Sequence, residues 1–87
     1  MTYEVRFTRA AKRALTEELP EKVATAAWTF IMGALRDNPQ RLGKQLVEPL
    51  HPLYSARRGE YRVIYRVLDD VLVIEIVAVA HRRDVYR

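Results

Sequence analysis

"LYSARRGEYRVIYRVLDDVLVIEIVAVA", residues 53–80, decides the fold. It divides into three runs rich in Val, Ile and Tyr: "LYSAR", "EYRVIYRVL" and "VLVIEIVAVA". Arg58-Gly59 and Asp69-Asp70 are the turn candidates between them. β-branched and aromatic residues at this density, broken by short turn signals, predict three successive strands. In the last run Leu72, Ile74, Ile76 and Ala78 form one row and Val71, Val73, Val77 and Val79 the other. Both rows are apolar, so this strand is expected at the centre of a sheet.

Working back toward the N-terminus, "TYEVRF" alternates Tyr3, Val5 and Phe7 with Glu4 and Arg6, the pattern of a half-buried strand. Thr8 is placed to cap a helix whose apolar positions are Ala11, Leu15 and Leu19 (or Ala10 and Ala14). Pro20 is expected to open a second helix, "EKVATAAWTFIMGALRDN". Its apolar face combines the row Val23, Ala27, Phe30, Ala34 with the row Ala24, Trp28, Ile31, Leu35. Gly33 inside it costs about 1 kcal/mol relative to alanine, which suggests close packing there. Asn38-Pro39 is expected to end the helix, and "QRLGKQLVEPLHPL" reads as a loop. The order β-α-α-β-β-β predicts an α+β fold, one domain over residues 1–87. A helical hairpin would pack on one face of a mainly antiparallel four-stranded sheet.

Among 87 residues there is no cysteine, so disulfides and thiolate metal sites are excluded. No segment approaches the ~20 apolar residues of a membrane span, and no signal peptide is evident, so a cytoplasmic location is expected. The net charge is +4. Between Arg36 and Arg66 lie seven basic residues (Arg36, Arg41, Lys44, Arg57, Arg58, Arg62, Arg66) against Asp37, Glu48 and Glu60, an excess equal to the whole net charge. Lysine would solvate a surface equally well. Arginine in this number points to bidentate recognition of phosphate or carboxylate.

A turn at Arg58-Gly59 would set Arg57 opposite Glu60 and Ser55 opposite Arg62. One face then carries Leu53, Ser55, Arg57, Glu60, Arg62, Ile64 and Arg66. The other carries Tyr54, Ala56, Arg58, Tyr61, Val63, Tyr65 and Val67, the natural core row. The tail adds His81, Arg82, Arg83, Tyr86 and Arg87 near one edge of the arginine face.

No metal site stands out, because His51 and His81 are the only histidines and no carboxylate cluster accompanies them. Neither a Gly-rich phosphate loop nor a nucleophilic triad is present. RNA cleavage by the substrate's own 2′-hydroxyl fits what remains, and it needs no cofactor. Arginines aimed at the non-bridging oxygens supply the electrostatic stabilisation. Lys44, His81, Tyr86 and Glu60 are the candidates for moving protons.

The segments "LGKQL", "LYSARRGEYRVIYRV" and "VAHRRDVY" resemble the RelE/ParE superfamily of toxins from type II toxin–antitoxin modules, most closely its RelE branch. The resemblance implies a compact toxin neutralised by a cognate RelB-like antitoxin, potentially as a heterotetramer. RelE-type members cut mRNA in the ribosomal A site without metal; ParE-type members inhibit DNA gyrase instead. By motif, Arg62 matches the family's phosphate-binding strand arginine, Arg82 a late-strand arginine at the transition state, and Tyr86 a nucleotide-orienting tyrosine. Lys44 and Arg57 match basic RNA-contacting positions, with Arg58, Arg66 and Arg83 as further RNA-binding candidates. The departure is the base. Where well-known RelE toxins carry lysines before the turn, this chain has Ser55, Ala56 and Arg57, and arginine does not readily give up its proton. His81 and Glu60 are left to fill that role.

Overall fold

A computed structural model describes residues 2–81. Strand β1 (Glu4–Phe7) leads through Thr8 into helix α1 (Arg9–Arg13). The Thr8 hydroxyl accepts from the Ala11 amide at 3.1 Å, the expected N-cap. α1 runs on through a wider, π-type turn, Ala14–Glu18, closed by the Leu19 amide donating to the Ala14 carbonyl at 2.9 Å. Helix α2 (Glu21–Phe30) begins one residue after Pro20 and also widens into a π-type turn, Ile31–Leu35. The extra residue of that turn changes which side chains point inward. Ile31 and Leu35 are buried while Ala34 is exposed, so the expected Val23-Ala27-Phe30-Ala34 row ends on Leu35 instead. A Cβ at Gly33 would meet nothing within 4 Å; the expected close packing there is absent.

Pro39 does not simply end the helical region. It opens a short helix α3 (Pro39–Leu42), where its missing N–H costs nothing. The segment read as a loop also yields a two-residue strand β2 (Lys44–Gln45). Strands β3 (Tyr54–Arg58), β4 (Tyr61–Leu68) and β5 (Val73–His81) complete a five-stranded sheet in the order β1-β5-β4-β3-β2. The α+β class stands, with five strands rather than four. β1 runs parallel to β5 and the other pairings are antiparallel.

The β3–β4 turn is Gly59-Glu60, one residue later than expected, with Arg58 opposite Tyr61. Gly59 takes φ +53, so the left-handed position falls on the residue that bears it without strain. The β4–β5 connection spans residues 69–72, and the last strand starts at Val73 rather than Val71. Within β5 the register jumps between Tyr65↔Ile76 and Ile64↔Ala78, leaving Val77 as an extra, bulged residue. Thr8 answers the bulge: its amide donates to the Ile76 carbonyl at 3.0 Å and its hydroxyl to the Val77 carbonyl at 2.8 Å.

Among the described residues, the helices cover one face only. Val23, Ala27, Phe30, Ile31 and Leu35 pack on Ala56, Tyr61, Val63, Tyr65, Ile74, Ile76 and Val79. Tyr65 is fully buried, stacked on Tyr54 with centroids 5.5 Å apart, and donates its hydroxyl to the Pro39 carbonyl. A Cβ on Gly43 would run into that hydroxyl, so α3 and β2 approach the sheet only because residue 43 is glycine.

Candidate nucleic-acid interface

The hairpin register is displaced by two residues from the expected one, and a two-residue shift preserves parity. The face assignments of β3 and β4 therefore stand while the cross-strand partners change. Tyr54, Ala56, Arg58, Tyr61, Val63, Tyr65 and Val67 form the row toward the helices; Ser55, Arg57, Arg62, Ile64 and Arg66 form the open row. Arg57 now lies directly opposite Arg62, and Ser55 opposite Ile64. β2 adds Lys44 opposite Ser55. β5 adds Ala80 opposite Arg62 and Ala78 opposite Ile64. The result is a basic trough in which Ile64 is flanked by Ser55, Ala78 and Ala80, with Lys44, Arg57 and Arg62 as its cations.

Arg62 is the most constrained of these. It is half-buried, and its Nε is shielded from solvent without a hydrogen-bond partner. A buried guanidinium nitrogen with nothing to donate to costs free energy that an incoming acceptor recovers. An incoming oxygen acceptor would satisfy the Arg62 Nε.

Three expected site residues lie elsewhere. Glu60 sits in the turn, exposed, and is not the partner of Arg57. Arg58 is on the helix-facing row, its guanidinium 4.5 Å above the Phe30 ring, a cation–π contact that ties the hairpin tip to α2. His81 pairs with Tyr61 and so shares the helix-facing row, opposite to Arg57 and Arg62. The bulge puts it there; an unbroken alternation from Ile76 would have turned odd-numbered positions to the open side. Arg66 is on the open face but opposite Glu75. Arg82, Arg83 and Tyr86 lie outside the described residues.

Sequence reading missed Glu75 and Arg6 as members of this face. Glu75 pairs with Arg66 on one side and Arg6 on the other, through the parallel β1–β5 ladder. No local signal announces that ladder, because it joins residues about seventy positions apart.

On the helix side, β1, α1 and α2 enclose a groove of about 890 Å³. Val5, Phe7, Leu15, Leu19 and Trp28 line it. Trp28 is stacked on Phe7 with centroids 5.6 Å apart, yet remains 49% exposed. The outer edge of β1 pairs with no other strand among the described residues.

A helical hairpin backing one face of a five-stranded sheet, with Lys44, Arg57 and Arg62 on the other, defines a small α+β domain. The chain belongs to the ParE toxin family: the family described as "ParE toxin of type II toxin-antitoxin system, parDE" matches residues 5–86. Relatives carry RelE-type names. Toxin RelE of Mycobacterium tuberculosis is 47% identical over 85 residues, covering 98% of this chain and 87% of the relative. Toxin RelG of the same organism is 44% identical over 87 residues, covering 100% and 99%. The toxin–antitoxin complex RelBE2 of M. tuberculosis contains a chain that superposes with TM-score 0.90 at 41% identity, covering 94% of this chain and 93% of that one. The archaeal RelE–RelB complex from Pyrococcus horikoshii gives TM-score 0.71 at 31% identity, covering 94% and 97%. The expected RelE/ParE membership is thus met, and the named relatives fall on the RelE side. No helix among the described residues is long and apolar enough to cross a membrane.

Proposed function

We propose that this toxin is an endoribonuclease that cuts mRNA on the ribosome. The observation that carries the reading is Arg62: a half-buried guanidinium with an unpartnered Nε, facing Arg57 across the strands. In this reaction the 2′-oxygen attacks the adjacent phosphorus, the bond to the 5′-oxygen breaks, and a 2′,3′-cyclic phosphate and a 5′-hydroxyl result. The 2′-oxygen gives up a proton to solvent or a base as the leaving 5′-oxygen takes one up. Arg57 and Arg62 would stabilise the extra negative charge on the phosphorane, and Lys44 would hold the neighbouring backbone. The test is to map mRNA ends after adding the toxin to translating ribosomes. New ends at A-site codons, lost with Arg62→Ala, support the reading; an identical map for wild type and variant removes it.

A ParE-type reading, inhibition of DNA gyrase, is favoured by one observation. Neither His81 nor Glu60 shares the trough with Arg57 and Arg62, so the two expected bases are not where a nuclease needs them. A supercoiling assay separates the two, since a gyrase inhibitor blocks supercoiling and leaves RNA intact.

The partner we infer is a RelB-like antitoxin, in line with the complexes formed by similar proteins. Its seat is the groove beside β1, where an amphipathic helix would cover Trp28, Leu15 and Leu19 and a strand would extend the open sheet edge. Trp28→Ala should weaken antitoxin capture without altering RNA cleavage by the unbound toxin.

A further inference from the structure

We propose that Lys44, beyond holding the RNA backbone, is the catalytic residue that protonates the leaving 5′-oxygen, an assignment that rests on the ribonuclease reading above. Of the described groups expected to move protons, Glu60 sits in the β3–β4 turn and His81 shares the helix-facing row. Lys44 is the one that the strand register sets on the open row. It is the partner of Ser55, Ser55 is the partner of Ile64, and cross-strand partners share a face. Arg62 stands one step further along that row, two residues from Ile64 on β4. The cations of this face are not chemically equivalent. A guanidinium keeps its protons, so Arg62 can stabilise charge but not transfer a proton, whereas an ammonium can hand one over.

The spacing suits a single linkage between two nucleotides. Lys44 lies two strands across from Arg62 and two residues along, so their Cα atoms are roughly 12 Å apart by strand spacing and rise. Extended lysine and arginine side chains can converge over that span, and the side chain between them on this row is the small Ser55. Lys44 is also anchored on both sides for a residue of an edge strand. Its neighbour Gly43 packs on the buried Tyr65 hydroxyl, and the Leu46 amide donates to the Leu53 carbonyl at 2.8 Å. With the Arg62 Nε donating to a non-bridging oxygen, the bond from O2′ to phosphorus forms and the bond from phosphorus to O5′ breaks. The Lys44 ammonium passes a proton to O5′, and the 2′-hydroxyl proton goes to water. Lys44 is exposed, so water then restores the ammonium.

The experiment compares two mRNAs on programmed ribosomes, with the full-length toxin in excess. One has the natural O5′ at the cleaved linkage. In the other, sulfur replaces that oxygen, and a thiolate leaves without taking up a proton. Lys44→Ala should slow cleavage of the oxygen substrate by roughly 10²–10⁴, the usual weight of general acid catalysis, and of the sulfur substrate by less than about tenfold. Lys44→Arg keeps the charge without a transferable proton and should show the same pattern. No slowing by Lys44→Ala, equal slowing of both substrates, or full activity of Lys44→Arg on the oxygen substrate each overturns Lys44 as the acid while the ribonuclease reading stands. Wild type that cleaves neither substrate overturns the ribonuclease reading itself, and the assignment with it.

Discussion

The Cβ that Gly43 lacks would occupy the place of the Tyr65 hydroxyl. Tyr65 has no room to retreat, being fully buried against Tyr54 and bonded to the Pro39 carbonyl. Gly43→Ala should therefore destabilise the fold by about 1–3 kcal/mol, the usual range for overpacking. The clash is with the hydroxyl, so adding Tyr65→Phe should return part of that loss. Urea titration of the two single variants and the double variant reads the coupling; simple additivity would refute it.

Gly33 is the opposite case. It lies on the exposed side of the helix, and an added Cβ meets nothing. Gly33→Ala should stabilise by roughly 0.4–1 kcal/mol through reduced freedom of the unfolded chain and better helix propensity. A rise in Tm of a few degrees in thermal denaturation checks it.

Arg58 and Arg62 should separate cleanly although both belong to the same hairpin. Arg58→Ala loses its contact with Phe30 and should cost about 0.5–1 kcal/mol of stability with RNA binding intact. Arg62→Ala should do the reverse, flattening the salt slope of RNA binding by about 0.7. Thermal denaturation and anisotropy on the same two proteins decide the matter.

Alkaline pH should unfold the protein through its tyrosines. Burial pushes the Tyr65 phenol well up, and burial also raises Tyr61, partly offset by Arg58. Tyr3 is raised first by its hydrogen bond to the Asp69 carboxylate at 2.6 Å and next by burial. In each case the folded state holds the proton more tightly than the unfolded chain. The stability this contributes is fully present below the unfolded value of about 10 and is lost as pH climbs past it toward the folded values. Denaturant midpoints should hold steady with respect to these groups up to about pH 10 and then fall, and Tyr65→Phe should make the fall shallower.

The division of β3 and β4 into a tyrosine row and an arginine row was legible in the sequence because it depends only on parity. It survives a two-residue shift of the register. What parity could not carry was the Val77 bulge, since a bulge is set by the packing of β5 on Thr8 and β4 rather than by residue type. For that reason Ile74 and Ile76 share the expected row, while Ala78 and Val79 exchange faces. The basic trough was visible as composition. The place of Glu75 beside Arg66 and Arg6 was not, because Glu75 meets Arg6 only through a parallel pairing across the length of the chain.

The bulge also gives β5 two phases. Up to Ile76 the even positions face the helices; beyond Val77 the odd ones do. Pairing Val77 as an ordinary ladder residue, with no bulge, would bring the whole strand into a single phase and turn its far half inside out. Ala78 and Ala80 would go to the core, and Val79 and His81 would be thrust into the trough beside Arg62. Loss of the bulge would thus crowd the arginine surface with branched carbon without changing one charge in the sequence, whereas deleting Val77 would leave Ala78 next to Ile76 and every face as it is. The bulge, held by Thr8, is part of what keeps the arginine surface open.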